Sequence, residues 1–210
     1  MLRAVAAVHG GQEVTLLLTH TEPPSRPMAA SMVSSKRQSW NTPDDVLRAI
    51  RRFDAIGLDP CSNSGSIVGA RTEWRLERDG DSLTRDWTGH GLVFVNPPYS
   101  RWLKRWMAKC SMSGAEVISL TPARTDTTAF QSFAFTAEAI CFWAGRMTFL
   151  GATAPAPFPS ALCYWPPEGG ESRVERFREI FGDFGLVVRC PHRPAAENSQ
   201  IALDLGARST

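Results

Sequence analysis

Leu92-Val93-Phe94-Val95-Asn96-Pro97-Pro98-Tyr99-Ser100 is the stretch on which the fold turns. Four apolar residues of strong β propensity read as a buried strand. Two prolines end it at once, since neither donates a backbone hydrogen bond and both fix φ. The stiff turn holds Asn96 and Tyr99 at the carboxyl end of a strand, where open α/β sheets place their ligands. Asn96 brings an amide oxygen, and a residue preceding a proline presents its carbonyl in extended backbone. Tyr99 adds a flat aromatic face. Two acceptors and a ring suit a planar amine, although a proline pair after a strand also serves as plain punctuation.

At 210 residues the chain is long enough for one domain with a sizeable core. The formal charge of +2 conceals a bias, because the basic residues are nearly all arginine. Arginine suits bidentate phosphate contacts, though a GC-rich genome gives the same bias. Such a balance is not that of an obligate nucleic-acid coat, so any nucleic-acid contact is expected to be local and patch-like. The odd, scattered cysteines Cys61, Cys110, Cys141, Cys163 and Cys190 contain no CxxC pair and fit reduced thiols in a cytosolic protein. His9, His20, His90 and His192 lie far apart, so no metal site is expected. No run approaches the length of a transmembrane helix.

Upstream, residues 1–38 differ from the rest and are expected to form a mobile tail. Their apolar run Val14–Leu18 follows His9-Gly10-Gly11-Gln12-Glu13, which argues against a signal peptide, and Pro23, Pro24 and Pro27 come after it. Met28 and Met32 offer later starts. Trp40-Asn41-Thr42-Pro43-Asp44-Asp45 then opens a helix, with Thr42 expected at the N-cap and Pro43 in the first turn. Ile56–Leu58 is a short apolar strand expected to end at Asp59-Pro60-Cys61, followed by the polar turn Ser62-Asn63-Ser64-Gly65. The turn reads either as a cradle of backbone N–H groups for a charged ligand or as a plain Ser/Asn loop. Leu83-Thr84-Arg85-Asp86-Trp87 reads as a second short strand ending in an acid–aromatic pair.

Downstream, Ser100 is expected to cap a helix over Arg101–Cys110, with Trp102, Leu103, Trp106 and Met107 as its apolar stripe. Arg101, Lys104, Arg105 and Lys109 fall on another face: a solvated surface by default, a phosphate contact by its position beside the Asn96 loop. Ala115–Pro122 is a buried strand leading into Ala123-Arg124-Thr125-Asp126-Thr127-Thr128 and a helix near Ala129–Phe135, capped by Asp126 or Thr127. Ala139–Trp143 and Met147–Leu150 read as a hairpin around Gly145-Arg146, and Ser160–Trp165 as the last core strand. Glu175–Phe181 is a terminal helix, Leu186–Val188 a small strand, and residues 191–210 a loose tail.

Asn96-Pro-Pro-Tyr resembles motif IV of the amino-methyltransferases. Adding Trp40-Asn-Thr-Pro, Leu58-Asp-Pro-Cys, Leu83…Asp86-Trp87, Pro122-Ala-Arg-Thr-Asp-Thr, Gly145-Arg146 and Ala156-Pro-Phe-Pro-Ser-Ala, in that order around it, the chain is similar to bacteriophage-type DNA N-6-adenine methyltransferases, a small Dam-like family, over Trp40 to Trp165. The resemblance implies an α/β, Rossmann-like S-adenosylmethionine-dependent domain over residues 39–190, with a mostly parallel sheet and an antiparallel hairpin at one side. It implies S-adenosylmethionine as methyl donor and cofactor, adenine in DNA as acceptor, and a cytoplasmic location without membrane attachment. Asn96, Pro97, Pro98 and Tyr99 would be catalytic, the base being flipped out and stacked on Tyr99. Thr42, Pro43, Asp59, Pro60, Cys61 and Asp86 would face the cofactor, Asp59 toward its methionine amine and Asp86 toward its adenine. Arg101, Lys104, Arg124, Thr125 and Asp126 would face DNA.

Two departures stand beside this resemblance. Only Gly65 is present where motif I usually carries two or three glycines. Asp59 and Asn96 also lie too close in sequence for a full βαβ unit, which leaves Glu73 and Glu77 as weak candidates for the ribose acid. The competing readings are protein glutamine methylation, cytosine-N4 methylation, and a non-catalytic DNA-binding relic of the fold.

Overall fold

Runs that are apolar apart from the small buried side chains of Ser119, Thr121 and Ser160 set the centre of the sheet. Leu92–Val95 (β3), Val117–Pro122 (β4) and Ser160–Trp165 (β6) are buried along their whole lengths, as strands covered on both faces are. Ile56–Ser62 (β1), Thr72–Arg75 (β2), Ala139–Trp143 (β5) and Gly185–Arg189 (β7) complete it. In the computed structural model, which describes residues 41–79 and 81–190, these strands form one sheet in the order β2-β1-β3-β4-β6-β5-β7. β2, β1, β3 and β4 are parallel, whereas β6 is antiparallel to β4 and β5, and β7 to β5. The expected tails 1–38 and 191–210, with Trp40, lie outside the described residues.

Successive side chains of a strand point to opposite faces, so β3 feeds two cores. Phe94 joins Ile118, Leu120 and Leu162 under Asp44–Phe53 (α1) and Glu171–Phe181 (α5), which bury Leu47, Ile50, Phe53, Phe177 and Phe181 there. Val93 and Val95 join Val117 and Ala161 under Leu103–Met112 (α3) and the short Thr128–Ser132 (α4), which bury Trp106, Met107, Cys110 and Phe130. At the amino end of the parallel strands Gly57 has no substitute: a Cβ there would lie 1.7 Å from the His90 carbonyl oxygen. All five cysteines are free thiols.

Several expected boundaries move, each for a physical reason. α1 starts at Asp44, with Pro43 rather than Thr42 at its N-cap and no side-chain cap; Thr42 is buried and engaged elsewhere. β1 does not stop at Asp59 but continues through Pro60 to Ser62. The ladder to β2 breaks register there, and the Pro60 carbonyl accepts the Ser82 hydroxyl. Residues 83–87 are not a strand: Ser82–Thr84 is a 3-10 turn, and Trp87 is buried with its Nε1 donating to the Ser82 carbonyl at 3.0 Å. α3 begins two residues later than expected, at Leu103, because Ser100 accepts from the Trp102 N–H before the helix starts; Trp102 is exposed rather than part of the apolar stripe.

The hairpin around Gly145 is absent as well. Met147 and Phe149 bury their side chains in the α1/α5 core while the backbone at Leu150 bridges to Asn41. The antiparallel pair on this side of the sheet is instead β5 with β6, joined by the long connection 144–159.

Candidate functional site

Asn96 follows β3 directly, with β1 on one side and β4 on the other. Its Nδ2 donates to the Thr42 hydroxyl at 3.1 Å, and its backbone carbonyl accepts from the Cys61 thiol at 3.3 Å. Burial above all, with the charge of Asp59 adding, pushes the Cys61 thiol up, so it stays protonated and able to donate. The Pro98 carbonyl accepts from the Ser100 N–H at 2.9 Å. Among the described residues nothing donates to the carbonyl of Pro97, itself buried between those two.

The residues before α1 also stitch the turn after β1. Asn41 Nδ2 donates to the Gly65 carbonyl at 2.9 Å, and Asn63 Nδ2 donates to Asn41 Oδ1 at 2.9 Å. Asn63 Oδ1 in turn accepts from the Gly65 N–H at 2.8 Å. Side-chain amides therefore do here what extra glycines would do with backbone alone.

On the β1 side lie two carboxylates in register across the β1–β2 ladder, Asp59 opposite Glu73. Asp59 is 4% exposed and accepts from the Cys61 N–H at 3.1 Å and the Ser66 hydroxyl at 3.5 Å. Ser62 donates to Glu73 at 3.2 Å. Burial above all, with the Glu73 charge adding, raises the Asp59 carboxyl to about 7. An acid so desolvated gains strongly from a cation placed beside it.

On the β4 side the Tyr99 hydroxyl donates to the Leu120 carbonyl at 3.3 Å. Its ring meets Phe149 and Phe158 edge-on, at centroid distances of 6.0 and 5.5 Å. Arg124 lies 5.7 Å over the Phe158 ring, and the Ala123 N–H donates to the Pro159 carbonyl at 2.8 Å. The Pro-Ala-Arg-Thr and Pro-Phe-Pro blocks, distant in sequence, thus converge on the tyrosine. Between the start of α3 and the end of β4 opens a cavity of about 290 Å³, with Arg101, Lys104 and Arg124 on its wall and Met107 and Phe130 beneath.

The structure therefore brings together Asn96, Pro97, Pro98, Tyr99, Thr42, Pro43, Asp59, Pro60 and Cys61 on one side, and Arg101, Lys104 and Arg124 around the cavity. Thr125 and Asp126 are exposed on the same loop but do not line it. Asp86 is not brought to Asn96. Its exposed carboxylate is occupied by the Thr88 N–H and hydroxyl, both at 2.9 Å, and lowered by them. The charges nearest it are Lys109, late in α3, and His90, at the opposite end of the sheet from Asn96. Asn41, Asn63, Phe149 and Phe158 escape a reading by motif roles, although Asn41 and Phe158 stand inside the motifs quoted; Glu73, a weak candidate from sequence, is placed opposite Asp59 by the strand register. Among the described residues no group of three or more His, Cys, Asp or Glu is placed to hold a metal ion, and no helix is long and apolar enough to cross a membrane.

The family model described as DNA N-6-adenine-methyltransferase (Dam) matches residues 29–158. No curated protein and no solved structure matches the chain.

Proposed function

The chain belongs to the DNA N-6-adenine-methyltransferase (Dam) family, and from that membership we propose that it moves a methyl group from S-adenosylmethionine to N6 of adenine in DNA, on a Rossmann-like domain. One observation carries the reading. Asn96-Pro-Pro-Tyr sits between Asp59, buried on β1 opposite the half-buried Glu73 of β2, and a cation-lined cavity beside β4. The donor would occupy the first side and the nucleic acid the second.

The residues fit the donor. Its methionine ammonium would find Asp59, whose carboxyl is raised to about 7 by burial above all and by the charge of Glu73. Glu73, on the adjacent parallel strand, is the acid within reach of a ribose diol. When bound, S-adenosylmethionine supplies an electrophilic methyl group on a sulfonium. The adenine amine is a poor nucleophile because its lone pair is delocalised into the ring. Accepting its two N–H groups on Asn96 Oδ1 and the Pro97 carbonyl localises that pair along the line of transfer, while Tyr99 holds the extruded ring. Alignment and exclusion of water do the rest.

The test is to incubate the protein with DNA and methyl-labelled donor, digest to nucleosides and identify the labelled base. N6-methyladenine is expected. Label in N4-methylcytosine, or label in protein with none in DNA, overturns the assignment.

A further inference from the structure

Trp102 is 43% exposed and is the one exposed tryptophan among the described residues; Trp87, Trp106 and Trp165 are buried. It is held in place by its backbone: its N–H donates to the Ser100 hydroxyl at 3.2 Å, and its carbonyl accepts from Arg105 and Trp106 at 2.9 and 3.2 Å. Two guanidinium groups lie against the indole, Arg101 at 4.9 Å and Arg105 at 5.2 Å from the ring centroid. From Ser100 to Gly114 the chain carries Arg101, Lys104, Arg105 and Lys109 and no acidic residue. Several other arginines are neutralised by ion pairs, as Arg48, Arg52, Arg173, Arg178 and Arg189 are. Among the described residues no ion pair engages Arg101, Lys104, Arg105 or Arg124.

A solvent-facing indole, backed by unpaired guanidiniums, matches a partner that offers flat π faces beside fixed negative charges. Nucleic acid has both: bases stack on the ring while phosphates meet the cations. Trp102 also stands only three residues beyond Tyr99, in sequence between Arg101 and Leu103, which both line the cavity. We propose that Trp102 inserts into the base stack of duplex DNA where the target base leaves it, stabilising the gap while Arg101 and Arg105 hold the flanking phosphates. This inference rests on DNA being the substrate, and it assigns Trp102 a task separate from Tyr99: one ring fills the gap, the other receives the base.

The experiment compares wild type, Trp102→Ala and Trp102→Phe on two short duplexes, one with the target adenine paired to thymine and one with it opposite an abasic site. Equilibrium binding and methylation are both measured. Trp102→Ala should lose about tenfold on the paired duplex, the weight of one base–aromatic stack, and recover to within about twofold of wild type on the abasic duplex, whose target is already loose. Trp102→Phe should keep most of the wild-type behaviour. Equal losses on both duplexes, or no loss on either, overturn the inference, as does altered self-association of Trp102→Ala in sedimentation with DNA binding unchanged. Binding separates this outcome from the fate of the functional reading. If wild type methylates no adenine yet Trp102→Ala loses affinity selectively for the paired duplex, the stacking role stands and the reaction must be reassigned.

Discussion

Asn96 is gripped at both ends, its amide nitrogen by Thr42 and its backbone carbonyl by Cys61. With Nδ2 donating to Thr42, Oδ1 is the atom proposed to accept from a substrate amine. Asn96→Ala should therefore lower turnover by about 10²–10³-fold, the usual scale for removing a group aimed at developing charge, with little change in affinity for donor or DNA. Asn96→Asp keeps an acceptor oxygen and should retain far more activity. Wild-type turnover in Asn96→Ala sinks the acceptor mechanism. Thr42→Val, keeping shape but not the hydroxyl, should lower kcat while sparing donor binding, and Thr42→Ser should restore it; a loss confined to donor affinity instead makes Thr42 a cofactor contact. Asp59 gives a pH signature. Its carboxyl ionises near 3.8 when unfolded and near 7 when folded, so between those values the folded state holds a proton the unfolded state has released, and stability falls as pH rises. Asp59→Asn should therefore melt several degrees higher than wild type at pH 8 and close to it at pH 4. A cationic donor favours the ionised carboxylate, so calorimetric affinity for S-adenosylmethionine should rise through pH 7 in wild type and stay flat and weak in the variant. A flat wild-type profile removes the ammonium from Asp59.

At the scale of elements, β4 and the loop behind it connect the Asn96 turn to the cavity. Arg124 leaves the end of β4, lies over Phe158 and lines the cavity with Arg101 and Lys104. If it meets a phosphate there, Arg124→Ala should weaken DNA binding and reduce the slope of log affinity against log salt by about 0.9; a change in melting temperature alone would make the contact with Phe158 purely structural. How these elements could be read from sequence depended on what buries them. β3, β4 and β6 were legible because strands covered on both faces are mostly apolar, the exceptions being small polar side chains such as Ser119 and Thr121 of β4. Leu83–Trp87 misled, since its two apolar anchors are satisfied equally well by a 3-10 turn with Trp87 tucked beneath α3. Met147–Leu150 misled for a related reason: its alternation at Met147 and Phe149 serves a connection laid over the core, not a ladder. Asn96 could be placed because it directly follows a strand, and Tyr99 because the proline pair ties it to that strand; Asp59 proved to lie within β1 rather than at its end. The partnership of Thr42 with Asn96 could not, because it joins residues 54 positions apart and capping already explained a threonine before Pro43.

For the whole molecule, residues 159–190, beyond the matched family region, belong to the same sheet and core. That region ends at residue 158, yet β6 lies between β4 and β5, and α5 packs its aromatic side chains on Phe53 of α1. The fastening is at the end of the sheet away from Asn96. Arg173 of α5 donates to Glu116, just ahead of β4, and to Asp54, just after α1, at 2.7 Å for the latter. The Tyr164 hydroxyl of β6 donates to the same Glu116 carboxylate at 2.7 Å. Glu116 is only 10% exposed at its side chain, so removing the guanidinium leaves a nearly buried charge without its counter-ion. Arg173→Met should therefore cost about 3–5 kcal/mol in denaturant unfolding. The double change Arg173→Met with Glu116→Gln should recover much of that, because the stranded charge is gone and the amide can still accept from Tyr164. Below the unfolding transition both variants should keep wild-type kcat and donor affinity, since no residue of this cluster belongs to the Asn96 site. If Arg173→Met instead lowers kcat at full foldedness, the two ends of the sheet are coupled, and α5 acts on the catalytic turn through β4 rather than merely closing the core.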